Sequence, residues 1–147
     1  MKPGVILVRD AARADELAGQ VRASATKPQA WIALFGEVNQ IWTYLAALSA
    51  VRVLFELHPG AGSFSIAPGA HAAQPLDGMS EVAGQVGAET FAAVDPESNC
   101  KLAKDFIKLA GRAELHRYVF FASPVFPGTT RLPQLERGGV QVWSVDV

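Results

Sequence analysis

Residues 95–123 read DPESNCKLAKDFIKLAGRAELHRYVFFAS, and whether this stretch is one helix followed by one strand decides the fold class. Asp95 is a favoured helix-capping type, Pro96 suits a first turn, Glu97 favours the positive helix end, and Gly111 can terminate the element. Between them Leu102, Ala103, Phe106, Ile107 and Ala110 recur at helical spacing, which predicts a buried stripe with Lys101, Lys104, Asp105 and Lys108 on the solvent side. The run RYVFFA then predicts a strand, so the stretch supplies one helix–strand unit.

The same alternation extends outward. VQVWSVDV (140–147) predicts a closing strand, preceded by a turn or short broken helix at RLPQLERGG. Upstream, MSEVAGQVGAETFAAV (79–94) predicts a helix through Met79, Val82, Val86 and Phe91, which Gly84 and Gly87 each weaken by about 1 kcal/mol relative to alanine. Residues 59–78 are rich in Gly, Pro, Ala and Ser and read as a loop, with an apolar patch at Phe64–Ile66 able to add a short strand. Nearer the N-terminus, GVILVRD predicts a strand, AARADELAGQVRASA a helix, QAWIALF a strand, EVNQIWTYLAALSA a helix, and VRVLFELHPG a third strand stopped by Pro59-Gly60. Alternating strands and helices predict one α/β domain over residues 1–147: a three-layer sandwich of about five mainly parallel strands with helices on both faces.

Half of the 147 residues are hydrophobic and only 18% are charged, apolar enough to suggest a partner protein or self-association covering part of the surface. A formal net charge of -1 gives no long-range attraction for a polyanion, so any RNA contact depends on a local basic cluster. The single cysteine, Cys100, excludes an internal disulfide and a thiolate metal cluster, and points to a reducing, cytoplasmic setting. MKPGVILVRD is broken by Arg9 and Asp10 before it reads as a signal core, and VNQIWTYLAALSAV falls short of the roughly 18–20 apolar residues of a membrane span.

In an open parallel sheet, ligands gather outside the carboxyl ends of the strands. That rule selects Asp10, Gly36 with Glu37, His58 and Ser123. Each also has an ordinary explanation: Asp10 as a helix cap, His58 as the start of a turn, Ser123 as a local hydrogen-bonder before Pro124. The helix face with Lys101, Lys104, Lys108 and, beyond it, Arg112 can meet phosphates or simply be solvated. No Gly-x-Ser-x-Gly elbow surrounds Ser123, the three histidines lack ligand spacing, and HPGAGSF lacks the Lys-Ser/Thr ending of a phosphate loop.

Residues 95–147 resemble the second half of the NYN branch of PIN-like ribonucleases. LVRDA resembles that family's first strand ending in an acid, SNCKLAKDFIKLA its metal-site helix, and YVFFAS the strand before a Ser-Gly-Asp-x-Asp signature. The resemblance implies Mg²⁺ or Mn²⁺ bound by Asp10 and Asp105, with Ser123 matching the serine. Asn99 stands where an acid is expected, however, and Pro124, Val125 and Pro127 replace the rest of the signature. VILVRDAARADELAG resembles the start of response-regulator receiver domains, without the phosphate-accepting Asp or the later Lys.

With the acidic set incomplete, the expected function is a non-catalytic or degenerate PIN/NYN-like or receiver-like domain acting through protein binding, chiefly self-association. The alternatives are a metal-dependent ribonuclease using Asp10, Asp105 and Glu37 with RNA on the lysine face, and small-molecule binding at the strand-end crevice.

Overall fold

The computed structural model describes residues 5–25, 39–68, 74–97 and 100–147. The expected strand at QAWIALF, together with Gly36, Glu37, His71 and Asn99, lies outside them. In chain order the elements are β1 (Ile6–Val8), α1 (Ala11–Ala25), α2 (Asn39–Leu57), a 3₁₀ turn at Pro59–Ala61, β2 (Phe64–Ile66), β3 (Gly78–Ser80), β4 (Val86–Ala92), α3 (Lys101–Ala110), β5 (His116–Ala122), β6 (Thr130–Arg131), a 3₁₀ turn at Pro133–Leu135, and β7 (Val140–Ser144). Among the described residues no helix is long and apolar enough to cross a membrane.

The chain is α/β, but among the described residues the sheet is mixed rather than mainly parallel, with seven strands rather than about five in the order β1-β2-β3-β4-β5-β7-β6. Among these residues β4–β5 and β5–β7 pair in parallel, and β1–β2, β2–β3, β3–β4 and β6–β7 are antiparallel.

Two local readings account for the difference. VRVLFEL continues α2 instead of forming a strand, because Leu48, Val51 and Leu54 extend the stripe begun by Ile41 and Leu45, and all five are buried. Burial of that stripe outweighs the weaker helix preference of Val51 and Val53. Residues 78–92, expected as a helix, form the β3–β4 hairpin. Its turn contains Gly84 at φ +75°, a left-handed conformation that other residues enter only at a cost.

Alternation along β4 and β5 serves two cores. Val86, Ala88, Tyr118 and Phe120 pack with Ala14 of α1 and Leu45, Leu48 and Leu54 of α2. Phe91, Val119 and Phe121 pack with Leu102 and Leu109 of α3. The second core therefore places α3 against the side of β4 that carries Gly87, Glu89 and Phe91.

Candidate functional site

The expected buried stripe of α3 is turned by the fold. Leu102, Asp105 and Leu109 are the buried positions, whereas Ile107 is 75% exposed and Ala103 and Ala110 face solvent. The helix also begins later than the sequence suggests; Asp95 instead closes a preceding turn, accepting the Glu97 amide at 2.9 Å. The consequence is that Lys101, Asp105 and Lys108 lean toward the sheet, where two further carboxylates lie.

The first is Glu89, in the middle of β4 and 2% exposed. The second is Asp77, immediately before β3. Gly87 eases their approach: a Cβ there would stand 2.5 Å from Leu76 Cδ1 and 3.0 Å from Glu114 Cγ, so a larger residue would have to displace the side chains of the loop before β3 and of Glu114. The Asp77 amide donates to Glu89 Oε2 at 3.2 Å, and the Thr90 amide donates to Asp77 Oδ2 at 2.8 Å.

Above them, Lys101 Nζ donates to Asp105 Oδ1 at 2.9 Å and lies 5.7 Å from the centre of the Phe91 ring, and Lys108 Nζ sits against Glu89 Oε1. The carboxylates are buried while both lysine side chains are nearly half exposed, so the ammonium groups form the solvent side of the cluster.

Two buried carboxylate oxygens, Glu89 Oε1 and Asp105 Oδ2, have no hydrogen-bond donor of ordinary geometry. The first is met only as an ion contact by Lys108. Burial, and then the hydrogen bond and charge of Glu89, push the Asp77 carboxyl up to about 8 against the opposing Thr90 amide and Lys101. Burial also raises Asp105, partly offset by Lys101. Burial draws the Lys101 ammonium down, but the hydrogen bond and charge of Asp105, with the charges of Asp77 and Glu89, outweigh it and hold it above the usual lysine range. Asp77, Glu89, Asp105, Lys101 and Lys108 therefore act on one another as a single electrostatic cluster.

The residues singled out from the sequence do not gather at one rim. Relative to β4, β1 runs in the opposite direction, so Asp10 at its far end lies toward the edge where β4 and β5 begin, while Ser123 lies where they end. Asp10 caps α1, accepting the Arg13 amide at 2.8 Å. Ser123 Oγ donates to the Val94 carbonyl at 2.5 Å and accepts the Val125 amide at 3.1 Å, tying two rim loops together. Asp105 is thus apart from Asp10 and beside Glu89 instead.

Of the basic residues, Lys101 and Lys108 enter the acidic cluster, Lys104 is exposed, and Arg112 is held by both oxygens of Glu114. His58 contacts the His116 ring at 4.5 Å between centroids and shares a 2.5 Å hydrogen bond with the Tyr118 hydroxyl. Where β4, β5 and β7 end, a groove of about 630 Å³ is lined by Trp42, Ala92, Val94, Ser123, Pro127 and Val147.

Glu89 was missed in the sequence because residues 79–94 read as a helix, and Asp77 because residues 59–78 read as a loop. The available signal was a lone charge inside the apolar strand VGAETFA. Among the described residues, no group of three or more His, Cys, Asp or Glu is arranged to hold a metal ion. Comparison of the chain with protein-family models, curated proteins and solved structures finds no match in any of the three.

Proposed function

We propose that this chain is a divalent-cation-dependent phosphodiesterase acting on nucleic acid, with Asp77 and Glu89 as cation ligands and Lys101 and Lys108 facing the phosphate. One observation carries it: beneath two half-exposed lysines, the buried carboxyl groups of Asp77 and Glu89 lie close enough to share a hydrogen bond, and the Asp77 amide also donates to Glu89. Like charges in a desolvated site repel unless a proton or cation lies between them. Here the three carboxylates of Asp77, Glu89 and Asp105 face the two ammonium groups of Lys101 and Lys108, leaving one negative charge uncompensated when all are ionised.

Mg²⁺ commonly takes one or two protein carboxylates and completes its shell with water and substrate phosphate, so Asp77, once it gives up its proton, and Glu89 would be the residues to hold it. Held by Asp77 and Glu89, such a cation would supply Lewis-acid activation of a water for hydrolysis of a phosphodiester, the water's proton going to the leaving oxygen. Lys101 and Lys108 would stabilise charge building on the phosphate oxygens.

This chemistry is that implied by the resemblance to NYN/PIN-like ribonucleases, carried by different acids from Asp10 and Asp105, on an arrangement we take to be a three-layer sandwich. The test is cleavage of end-labelled RNA and DNA strands with MgCl₂ or MnCl₂. Cation-dependent cleavage that falls to background in both Asp77→Asn and Glu89→Gln supports the function. Inertness of the wild type toward both strands, with no response of its melting temperature to Mn²⁺, would remove it.

The rim groove favours a second reading, protein binding by self-association. Its rim exposes Trp42 and Val94, and Val125 lies exposed in the adjoining turn. A concentration-dependent dimer that Trp42→Ser dissolves supports it; a monomer at high micromolar concentration opposes it.

A further inference from the structure

We propose that the outward face of α3 is a docking surface for an acidic amphipathic helix of a partner protein, with Ile107 as its apolar anchor and Lys104 and Arg137 as its flanking cations. This face is the side of α3 opposite the buried Asp105, and the inference does not rest on the hydrolytic reading.

Helical spacing gives α3 an apolar stripe of Leu102, Ala103, Phe106, Ile107 and Ala110, enough for a core-facing helix. The fold uses only part of it. Leu102 and Leu109 enter the second core with Phe106 partly covered, and the remaining buried position of the helix is taken by Asp105. The rest of the stripe points outward. Ile107 is 75% exposed, and Ala103 and Ala110, one turn before and one turn after it, are exposed as well. Small residues on either side of a branched one leave a ridge with hollows beside it, into which the side chains of a second helix pack.

This strip is continuous with a depression. Ala103 also lines a cavity of about 290 Å³ between α3 and the 3₁₀ turn at Pro133–Leu135, with Leu102 and Phe106 on the helix wall and Leu135 and Arg137 on the loop wall. A ridge at Ile107 beside an apolar hollow suits a helix that presents large apolar side chains one turn apart, one of them seated in the hollow.

Charge selects the occupant. Lys104 adjoins Ile107 on the helix surface, and Arg137 stands across the hollow. Both are exposed, and neither has an ion-pair partner among the described residues. Lys101 and Lys108, by contrast, are already paired with buried carboxylates. Glu97, the acid that lines the cavity, lies before the first turn of α3. A partner helix with acids flanking its apolar anchors meets both free cations, whereas a second copy of this face brings like charges together. Lys104 and Arg137 alone also fall short of the roughly four to eight clustered cations of a polybasic membrane site.

The test is selection, on the folded wild-type chain, from a displayed library of short helical peptides with Leu or Phe at i and i+4 and Glu, Lys, Gln or Ser free at the flanking positions. Enrichment of Glu-flanked peptides is the expected result. Fluorescence anisotropy with the leading peptide then gives binding weakened about 30-fold or more by Ile107→Glu, the size of a hot-spot residue. Lys104→Glu and Arg137→Glu each weaken it about 5-fold or more, and added salt weakens wild-type binding. Val125→Ser, exposed at the distant rim, leaves it unchanged. Because Ile107 and Lys104 are both exposed, these variants keep the wild-type melting temperature, and Lys104→Glu gives an independent reading if Ile107→Glu does not fold.

The proposal is overturned by absence of enrichment, by enrichment of Lys-flanked peptides, or by a selected peptide that binds Ile107→Glu and Lys104→Glu as well as wild type. A wild-type dimer in sedimentation that Ile107→Glu dissolves overturns it in favour of a second copy. Binding to phosphatidylserine vesicles that is lost in Ile107→Glu overturns it in favour of a membrane surface.

Discussion

The Asp77 amide donates to the Glu89 carboxylate while the Asp77 carboxylate accepts the amide of the next residue, Thr90, so two acids are locked face to face by backbone hydrogen bonds. Asp77 immediately precedes β3 and Glu89 lies within β4, so the β3–β4 pairing next to them holds the two backbones at this separation.

The first consequence is a pH dependence of stability. Asp77 has a folded-state pKa raised to about 8, above its ordinary value, so the folded state holds more protons than the unfolded state between those limits. Stability is therefore greatest below the ordinary aspartate range and declines as pH rises through about 8. Asp77→Asn removes this slope and raises Tm at pH 8.5 by several degrees, on the scale of roughly 2–4 °C per kcal/mol for a domain of this size. Thermal melts from pH 4 to 9 measure it.

Cation binding should reverse that cost. At alkaline pH, a divalent ion seated between ionised Asp77 and Glu89 raises wild-type Tm, and an ion at 100 times its Kd contributes about 2.7 kcal/mol. The same melts with and without MnCl₂, repeated for Glu89→Gln, check this; the variant should gain little.

Gly87→Ala is expected to cost roughly 1–3 kcal/mol by overpacking, since the new methyl group would meet Leu76 Cδ1 at 2.5 Å. Leu76 precedes Asp77, so the displacement should also lower cleavage. Gly60→Ala, where an added Cβ meets nothing within 4 Å, serves as the control. Denaturant unfolding and cleavage rates measured together test both effects.

Asp10→Ala and Ser123→Ala should leave cleavage unchanged. The first loses a helix cap, typically about 1 kcal/mol. The second loses the hydroxyl joining the loops after β4 and β5, again about 1 kcal/mol. Equal activity with lower Tm is the expected outcome of rate and melting measurements.

His58 is held below the ordinary histidine range by burial and by the charge of His116. The unfolded chain therefore binds more protons near pH 6, and this contribution to stability, complete above the ordinary range, falls as pH drops through about 6.5. Tyr118→Phe, which deletes the hydroxyl partner of His58, should lower stability by about 1 kcal/mol at pH 7.5. Equilibrium unfolding of both proteins at pH 5.5 and 7.5 measures the two effects.

The local readings succeeded where one residue type dictates one backbone state. Asp10, read as one possibility to be a helix cap, caps α1, and RYVFFA forms a strand. They failed where a segment had two self-consistent patterns. VRVLFEL is β-branched enough for a strand, yet spaced to continue the buried stripe of α2. MSEVAGQVGAETFAAV carries helical spacing, yet has glycines that a tight turn and a close crossing require.

What the sequence determined by itself was α/β character, a helix reaching to about Gly111 and the strand that follows it, because spacing and end residues act within a few positions of chain. What only the tertiary structure decided was the site. α3 is turned so that Asp105 rather than Ile107 is buried, paired with Lys101 of its own helix, while Lys108 reaches Glu89 of β4. Electrostatic pairing across a sheet joins residues distant in sequence, and no periodicity along the chain encodes which of them will meet.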